Sequence, residues 1–156
     1  MARITTNTAG TQPVIVLATA VAGNLSIPFI QDLTITNSTG VYSYTTFSDN
    51  DQRKLSTPAN NEIGTNIVID DVTFFGNASA TAGSATYLGL AGLSSDKTPV
   101  TFTVYWAGQT AGTTDRITTG SGFVTNIASK TSPTAPVWVT PLNIAVDGTM
   151  TTSITG

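Results

Sequence analysis

The chain contains neither cysteine nor histidine, and only 10% of its 156 residues are charged. Without cysteine there can be no disulfide, no thiolate nucleophile and no cysteine-based zinc site. Without histidine the chain lacks the usual proton acceptor near neutral pH and the commonest metal ligand. The sequence also has no phosphate-binding GK[ST] loop and no nucleophile elbow. We therefore expect a protein that is not an enzyme and that needs no metal or other cofactor.

Positive charge is scarce as well. Six Lys and Arg against nine Asp and Glu give a net charge of −3 and an isoelectric point near 4.4. A protein that clamps nucleic acid needs a basic stripe that displaces counterions from phosphates. The composition therefore argues against specific nucleic-acid binding.

Long hydrophobic runs are missing too. The apolar run at residues 14–22 (VIVLATAVA) is far shorter than the ~20 residues that span a bilayer as a helix. It ends in small residues, as a signal peptide does. Its polar flank and Pro13 favour a buried strand instead, and we expect no membrane-spanning segment.

Threonine is abundant, with 31 residues. A surface of short neutral polar side chains carries little charge repulsion, so it tolerates close contact with other copies of the same chain. The length fits a single domain over residues 1–156, which we expect to begin with an extended arm at about residues 1–12.

Alternating patterns and β-branched residues predict seven to nine mostly antiparallel strands and at most one short helix. An all-β fold follows, either a β-sandwich or a split barrel. Residues 29–36 and 41–47 are predicted to pair as a hairpin across a turn at residues 37–40. The helix is predicted at residues 85–93, where two glycines weaken it.

The second half of the chain alternates clearly in residues 99–106 and 137–146. This alternation puts Trp106 and Trp138 on apolar faces, so core packing is the favoured role for both. Asp147-Gly148 is a strong hairpin signal, and the residues after it are predicted to pair back on the preceding strand.

The stretch at residues 48–64 has no periodicity and is predicted to be a long polar loop. It holds five of the fifteen charged residues: Asp49, Asp51, Arg53, Lys54 and Glu62. Loops of this length are uncommon inside compact domains and often carry function. A partner-binding surface and a solvated mobile loop both remain open.

Two acidic motifs are weak candidates for chemistry. Asp49-Asn50-Asp51 begins like a calcium-binding loop, but Arg53 and Lys54 occupy positions where the pattern requires a ligand and a glycine. Asp70 and Asp71 fall in a strand predicted at residues 67–75, where neighbouring side chains point to opposite faces and cannot act as a catalytic pair. We expect one to face solvent and the other a partner or a channel.

The order of these features resembles the tail tube (major tail) proteins of long-tailed bacteriophages, over residues 30 to 154. The resemblance is carried by a hairpin ending in Tyr44-Thr45-Thr46-Phe47, a polar loop with Arg53-Lys54 and Ser56-Thr57-Pro58, a strand running into Phe74-Phe75-Gly76, and a late strand closing on Val146-Asp147-Gly148. It implies a β-sandwich or split barrel with a packed helix, for which residues 85–93 are the candidate.

The resemblance also implies a virion protein that assembles in the host cytoplasm. Its subunits would form hexameric rings, two hairpins per subunit would line a lumen, and a long loop would reach into the next ring. The implied partners are other copies, a tape-measure protein and a tail-terminator protein, and DNA would pass without specific binding.

Candidate residues follow from this picture. We expect subunit or inter-ring contacts at Asp49, Asp51, Arg53, Lys54 and Glu62, and lumen-facing or interface carboxylates at Asp32, Asp70 and Asp71. An acidic lumen would repel phosphate and let DNA slide. A capsid cement or decoration protein and, from a different class, a carbohydrate-binding sandwich with exposed Trp or Tyr are the alternatives.

Overall fold

The computed structural model describes residues 12–27, 30–48, 50–107 and 115–155. In this part of the chain nine strands form one antiparallel sheet in the order β2-β1-β5-β6-β8-β4-β3, with β7 beside β8 and β9 beside β6. The all-β expectation is confirmed, although two short helices are present where at most one was predicted. The elements are β1 (Val14–Ala18), β2 (Leu25–Ile27), β3 (Ile30–Tyr44), β4 (Arg53–Val68), α1 (Asp71–Phe75), α2 (Ala85–Ser95), β5 (Val100–Tyr105), β6 (Asp115–Thr125), β7 (Lys130–Ser132), β8 (Ala135–Val146) and β9 (Thr151–Thr155).

The apolar run near the N-terminus forms the predicted buried strand. β1 pairs with β2 on one side and β5 on the other, and Ile15 and Leu17 are fully buried. The expected N-terminal arm lies outside the described residues, apart from Gln12.

β3 and β4 form one long hairpin, with a register that runs from Ile30 opposite Ile67 to Tyr44 opposite Arg53. The predicted turn at residues 37–40 is wrong, because the chain continues through it as strand with only a local irregularity before Val41. The predicted loop at residues 48–64 is wrong from Arg53 onward, because those residues belong to β4. Most of these side chains are exposed on both faces, so no hydrophobic period marks the strand.

A second long hairpin is built from β6 and β7 against β8 and β9. The predicted turn at Asp147-Gly148 is wrong, because β9 continues beside β6 instead of folding back on β8. Residues 147–150 lie opposite residues 120 and 121 and form a bulge. The Asp147 N–H donates to the Ser121 carbonyl at 2.7 Å, and Gly148 adopts a φ of 88°.

The two hairpins point in opposite directions. They share the β4–β8 pairing, in which Glu62 lies opposite Ala145 and Val68 lies opposite Val139. Moving along β4 from Val68 through Glu62 leads toward the first hairpin's connection at residues 45–52. The same movement along β8 leads away from the second hairpin's turn at residues 133–134. The two tips therefore lie at opposite ends of the sheet.

Both halves of the sheet contribute to a single hydrophobic core. The sheet is not closed, since β2 and β3 remain its two end strands within the described residues. Leu90 and Leu93 of α2 are fully buried and cover part of the core. The remaining large buried side chains include Ile63, Ile67, Leu142 and Ile144 from one half, and Ile15, Leu17, Phe102 and Val104 from the other.

The two tryptophans differ from the prediction. Trp106 is half-buried, and its indole Nε1 donates to Thr118 Oγ1 at 2.9 Å. Trp138 is 53% exposed, so its predicted core role is wrong. Strand alternation does place it on the side of Leu142, but its stretch of β8 pairs with the short β7, beyond the end of the core.

The predicted strand at residues 67–75 ends at Val68. Asp70 is the N-cap of α1, where its carboxylate accepts a hydrogen bond from Thr73 N at 3.3 Å, and Asp71 is the first helical residue. Both were predicted to lie on a strand, and that placement is wrong. The Asp-x-x-Thr spacing instead provides the cap that starts a helix.

The predicted helix at residues 85–93 is confirmed as α2, which is interrupted at Gly89 (φ 64°, ψ 179°). Gly89 crosses Gly76, whose φ is 89°, so closely that a side chain on either glycine would overlap the backbone of the other segment. The Asn77 N–H also donates to the Thr86 carbonyl at 3.0 Å. The weak helix signal therefore reflects a backbone crossing that only glycine permits.

Candidate assembly surfaces

The first surface, here called the polar face, is the outer side of the sheet where β3, β4, β8 and β6 lie side by side. Register partners share a face. The opposite face is buried in the core along β4, β8 and β6, and that of β3 packs against the core with the partly buried Leu33 and Ile35. None of the residues on the polar face is a Lys or an Arg. Lys130 of β7 lies just beyond the polar face, opposite Val139, which is two residues before Pro141 on β8. The polar face comprises Asp32, Thr34, Thr36 and Ser38 of β3, Asn60, Glu62, Gly64 and Asn66 of β4, Pro141, Asn143 and Ala145 of β8, and Phe123 and Thr125 of β6.

An asparagine on the adjacent strand orients each of the two carboxylates on the polar face. Asp32 Oδ1 accepts from Asn66 N at 2.9 Å, and Asp32 Oδ2 accepts from Asn66 Nδ2 at 2.8 Å. Glu62 Oε1 accepts from Asn143 Nδ2 at 2.5 Å. Both acidic side chains are exposed, so they present fixed negative charge to whatever lies in front of the sheet.

The second surface, the hairpin arm, is the outer part of the first hairpin, residues 39–59. All its described residues except Gly40 and Tyr44 are exposed. Tyr42 and Tyr44 stack with ring centroids 6.2 Å apart, and Leu55 lies opposite Tyr42. Tyr42 is 61% exposed and Leu55 is 56% exposed. An isolated two-stranded hairpin with both faces in water is marginally stable at best, so a surface that packs against this arm would stabilise it.

The charged residues predicted to form one interface are divided between these two surfaces. Asp51, Arg53 and Lys54 lie at or near the tip of the hairpin arm, and all three are exposed. Arg53 and Lys54 are neighbours on β4, so their side chains start toward opposite faces. Glu62 lies on the polar face, and Asp49 lies outside the described residues.

The third surface, here called the α1 end, lies at the other end of the sheet. It comprises Asp70, Asp71, Val137 and Trp138. The Ile69 N–H donates to the Trp138 carbonyl at 2.8 Å, which holds the segment that leads into α1 against β8. Val137 is 47% exposed, and both carboxylates are exposed. Of the three carboxylates predicted to line a lumen or interface, Asp32 is therefore on the polar face, and Asp70 and Asp71 are not.

Sequence reasoning missed the exposed apolar side chains at the α1 end. The adjacent apolar residues Val137 and Trp138 could have indicated this exposure. Neighbours on a strand face opposite ways, so only one of the two can enter a one-sided core. On α1, Val72 and Phe75 are likewise exposed, at 47% and 66%.

β3 also offers an edge for lateral contact. Within the described residues it pairs only with β4. An open groove of about 770 Å³ runs beside it, lined by Gln12, Pro13, Trp106 and residues 30–35. Unpaired strand edges are templates for pairing with another chain unless charge or proline blunts them.

The described residues contain no group of three or more acidic side chains placed to hold a metal ion. None of the helices in this part of the chain is long and apolar enough to cross a membrane.

Comparison with known proteins identifies the fold. No protein-family model matches the sequence, and no curated protein matches it. Solved structures do match. A chain in the tail of an empty gene transfer agent particle, computed with helical refinement and C6 symmetry, superposes with a TM-score of 0.61 at 13% identity, covering 89% of this chain and 95% of that chain.

This chain has the fold of proteins from phage-tail-like particles. A chain from the virion of a native gene transfer agent particle gives a TM-score of 0.59 at 15% identity, covering 88% of this chain and 95% of that one. A chain from the six-fold symmetrised anti-feeding prophage baseplate gives 0.55 at 9% identity, covering 97% of both. The resemblance to tail tube proteins is thus confirmed at the level of the fold.

Proposed function

We propose that the protein is a structural, non-enzymatic subunit of a phage tail tube, which forms stacked hexameric rings around a channel for DNA. The hairpin arm carries this proposal. A two-stranded extension that is exposed to solvent on both faces contributes little stability by itself. Assembly of several copies would give it a surface to pack against. The tail-particle fold and the six-fold symmetry of two of the matched particles support the same conclusion.

Within a ring, subunits meet through strand edges. β2 and β3 are the end strands of the described sheet, and β3 presents polar and apolar residues in place of the lysines that normally protect an edge. Pairing of such edges extends the sheet from one subunit to the next with backbone hydrogen bonds.

The polar face lines the channel. Asp32 and Glu62 give it negative charge, and its remaining polar groups are neutral hydroxyls and amides. Such a surface repels phosphate and offers no cation to hold it, so DNA slides without specific binding. Asp70 and Asp71 serve at a subunit interface and not in the lumen.

The tape-measure protein inside the tube and the terminator protein at its end are the further partners, and the assembled virion is the protein's location. Exposed aromatic side chains such as Trp138 and Tyr42 are the observations that favour the alternative of a carbohydrate-binding protein.

Negative-stain electron microscopy of the purified protein across a concentration series tests assembly directly. Stacked rings or hollow tubes are the expected result. Only monomers or trimers at every concentration would move a cement protein or a carbohydrate-binding protein ahead.

Because the chain has no cysteine, single-cysteine labelling can then identify the lumen. Thr36→Cys lies on the polar face, and Ser95→Cys lies exposed at the end of α2 as the matched control. In assembled tubes, a high-mass maleimide–polyethylene glycol should label Ser95→Cys readily and Thr36→Cys much more slowly, whereas a small maleimide should label both. Equal labelling by the large reagent would contradict the lumen assignment.

A further inference from the structure

β3 leaves one side of the hydrophobic core partly open. Ile35 lies opposite Ile63 of β4, and both residues pack in the core. Ile63 is fully buried, whereas Ile35 is only partly buried, as are Ile30 and Leu33 of the same strand. The groove of about 770 Å³ beside β3, here called the edge groove, runs along this stretch. It offers an apolar wall and a strand edge that is unpaired within the described residues, which together can accept one more strand.

The chain itself leads into the edge groove. Gln12 and Pro13 are part of its lining. Residues 1–11, here called the N-terminal segment, are joined to that lining at Gln12 and lie outside the described residues. A short tether holds a segment near its site at an effective concentration on the order of millimolar. In dilute solution the N-terminal segment therefore has an advantage over any separate chain that competes for the groove.

The sequence of the N-terminal segment suits the groove. Residues 3–8 (RITTNT) contain four β-branched side chains and no glycine or proline, a composition typical of strands. At about 3.3 Å per residue a strand of this length spans ~20 Å, which matches the stretch of β3 that lines the groove. Strand alternation allows Ile4 to face the apolar wall while Arg3 faces the other side of the sheet, where Asp32 is exposed. Arg3 is the only Lys or Arg of the segment, so the two charges are complementary.

We propose that, before assembly, residues 3–8 add to the free edge of β3 in the same chain and fill the edge groove. Ile4 covers the partly buried side chains of β3, and Arg3 faces Asp32. A strand edge that is covered in this way cannot pair with another chain, so the segment is a built-in cap on the free subunit. Any pairing of β3 with a second copy requires the cap to leave. The cap is a property of the single chain, and it goes beyond the proposed function without depending on it.

Cross-linking within one chain, in dilute and unassembled protein, tests the cap. The double variant Thr5→Cys/Thr34→Cys carries one thiol in the segment and one at an exposed position of β3 that lines the groove. Thr5→Cys/Ser95→Cys is the matched control, with its second thiol at the exposed end of α2. Both are treated with a short bis-maleimide. Intact-mass spectrometry and a denaturing gel then separate internal cross-links from dimers.

The expected product is an internally cross-linked monomer, at several times the yield of the Ser95→Cys control. A yield no higher than that control would overturn the proposal. A cross-linked dimer as the main product would also overturn it, because the segment of a second copy would then occupy the groove.

Hydrogen exchange distinguishes strand pairing from proximity alone. In an edge strand the backbone N–H groups that point away from the sheet have no partner, so in the capped chain those of residues 30–35 should exchange slowly. Deletion of residues 2–8, which removes none of the described residues, should make them exchange several-fold faster. Residues 100–105 in β5 have a strand on each side and should exchange equally in both proteins. Unchanged exchange at residues 30–35 would overturn the pairing, whatever electron microscopy shows about tubes.

Discussion

Glu62 on β4 accepts a hydrogen bond from Asn143 on β8 at 2.5 Å, so a residue of the second hairpin fixes an acidic side chain of the first. Glu62 thereby holds its charge on the polar face, the same face that carries Asp32. Its fixed position suits the proposed lumen surface, which would repel phosphate.

Reversal of this charge should make the channel retain DNA. In Glu62→Lys tubes a cation in every subunit would face the lumen, and each phosphate it neutralises strengthens DNA binding by counterion release. We expect Glu62→Lys tubes to co-sediment with short DNA at low salt and to release it as salt rises, whereas wild-type tubes bind little DNA. Ser95→Lys places the same charge on α2 as a control for binding to the exterior. DNA retention by Ser95→Lys equal to that of Glu62→Lys would count against a lumenal Glu62.

Asp32 should contribute to stability through Asn66. Asp32→Ala removes the acceptor for both the backbone and the side-chain amide of Asn66, which we expect to cost about 1 kcal/mol of unfolding free energy. Urea denaturation measures the loss. In a double-mutant cycle with Asn66→Ala, the two costs should sum to more than the cost of the double variant, because the residues share a bond. Strict additivity would mean that the side-chain bond contributes nothing.

The glycine crossing between α1 and α2 should tolerate no side chain. Gly89→Ala would place a methyl group in the left-handed region, at ~1–3 kcal/mol, and would add an overlap with Gly76. We expect Gly89→Ala to lower the urea midpoint well below that of Gly148→Ala. Gly148 has a similar positive φ but nothing within 4 Å of the added methyl group. Equal losses for the two variants would show that the close approach contributes nothing beyond backbone strain.

These results show which parts of the fold a sequence encodes locally. The buried faces of β1, β5 and β8 were predictable, because a one-sided core imposes an alternating pattern. The hairpin arm was not predictable, since both of its faces are exposed and no one-sided core imposes an alternating pattern on it. The sequence predicts a turn at Gly148, where the structure has a bulge, because an Asp-Gly dipeptide is compatible with a turn and with a bulge. The pairing of β9 with β6, which is not visible in the local sequence, decides between the two.

Charge reversal should weaken stacking without unfolding the subunit. The double variant Arg53→Glu/Lys54→Glu places anions on the arm, and Asp70 and Asp71 are the exposed carboxylates at the other end of the sheet that these anions would repel if the arm contacts that end of another copy. We expect shorter tubes and a higher concentration threshold for tube growth by light scattering, with a urea transition that stays cooperative because the subunit still folds. Adding Asp71→Lys should restore part of the growth, which a merely structural defect in the arm would not allow. Normal tube growth by the double variant would contradict a role for these cations in stacking.

Trp138 should report assembly through its fluorescence. It is 53% exposed in the single chain, so it contributes red-shifted, quenchable emission, whereas Trp106 is half-buried and hydrogen-bonded to Thr118. If this end of the sheet is a subunit contact, assembly should shift the emission to the blue and reduce acrylamide quenching, because the contact covers Trp138. Trp138→Phe should abolish most of this change, and Trp106→Phe should preserve it. An emission change on addition of glycans to unassembled protein, lost in Trp138→Phe, would instead favour carbohydrate binding at this residue.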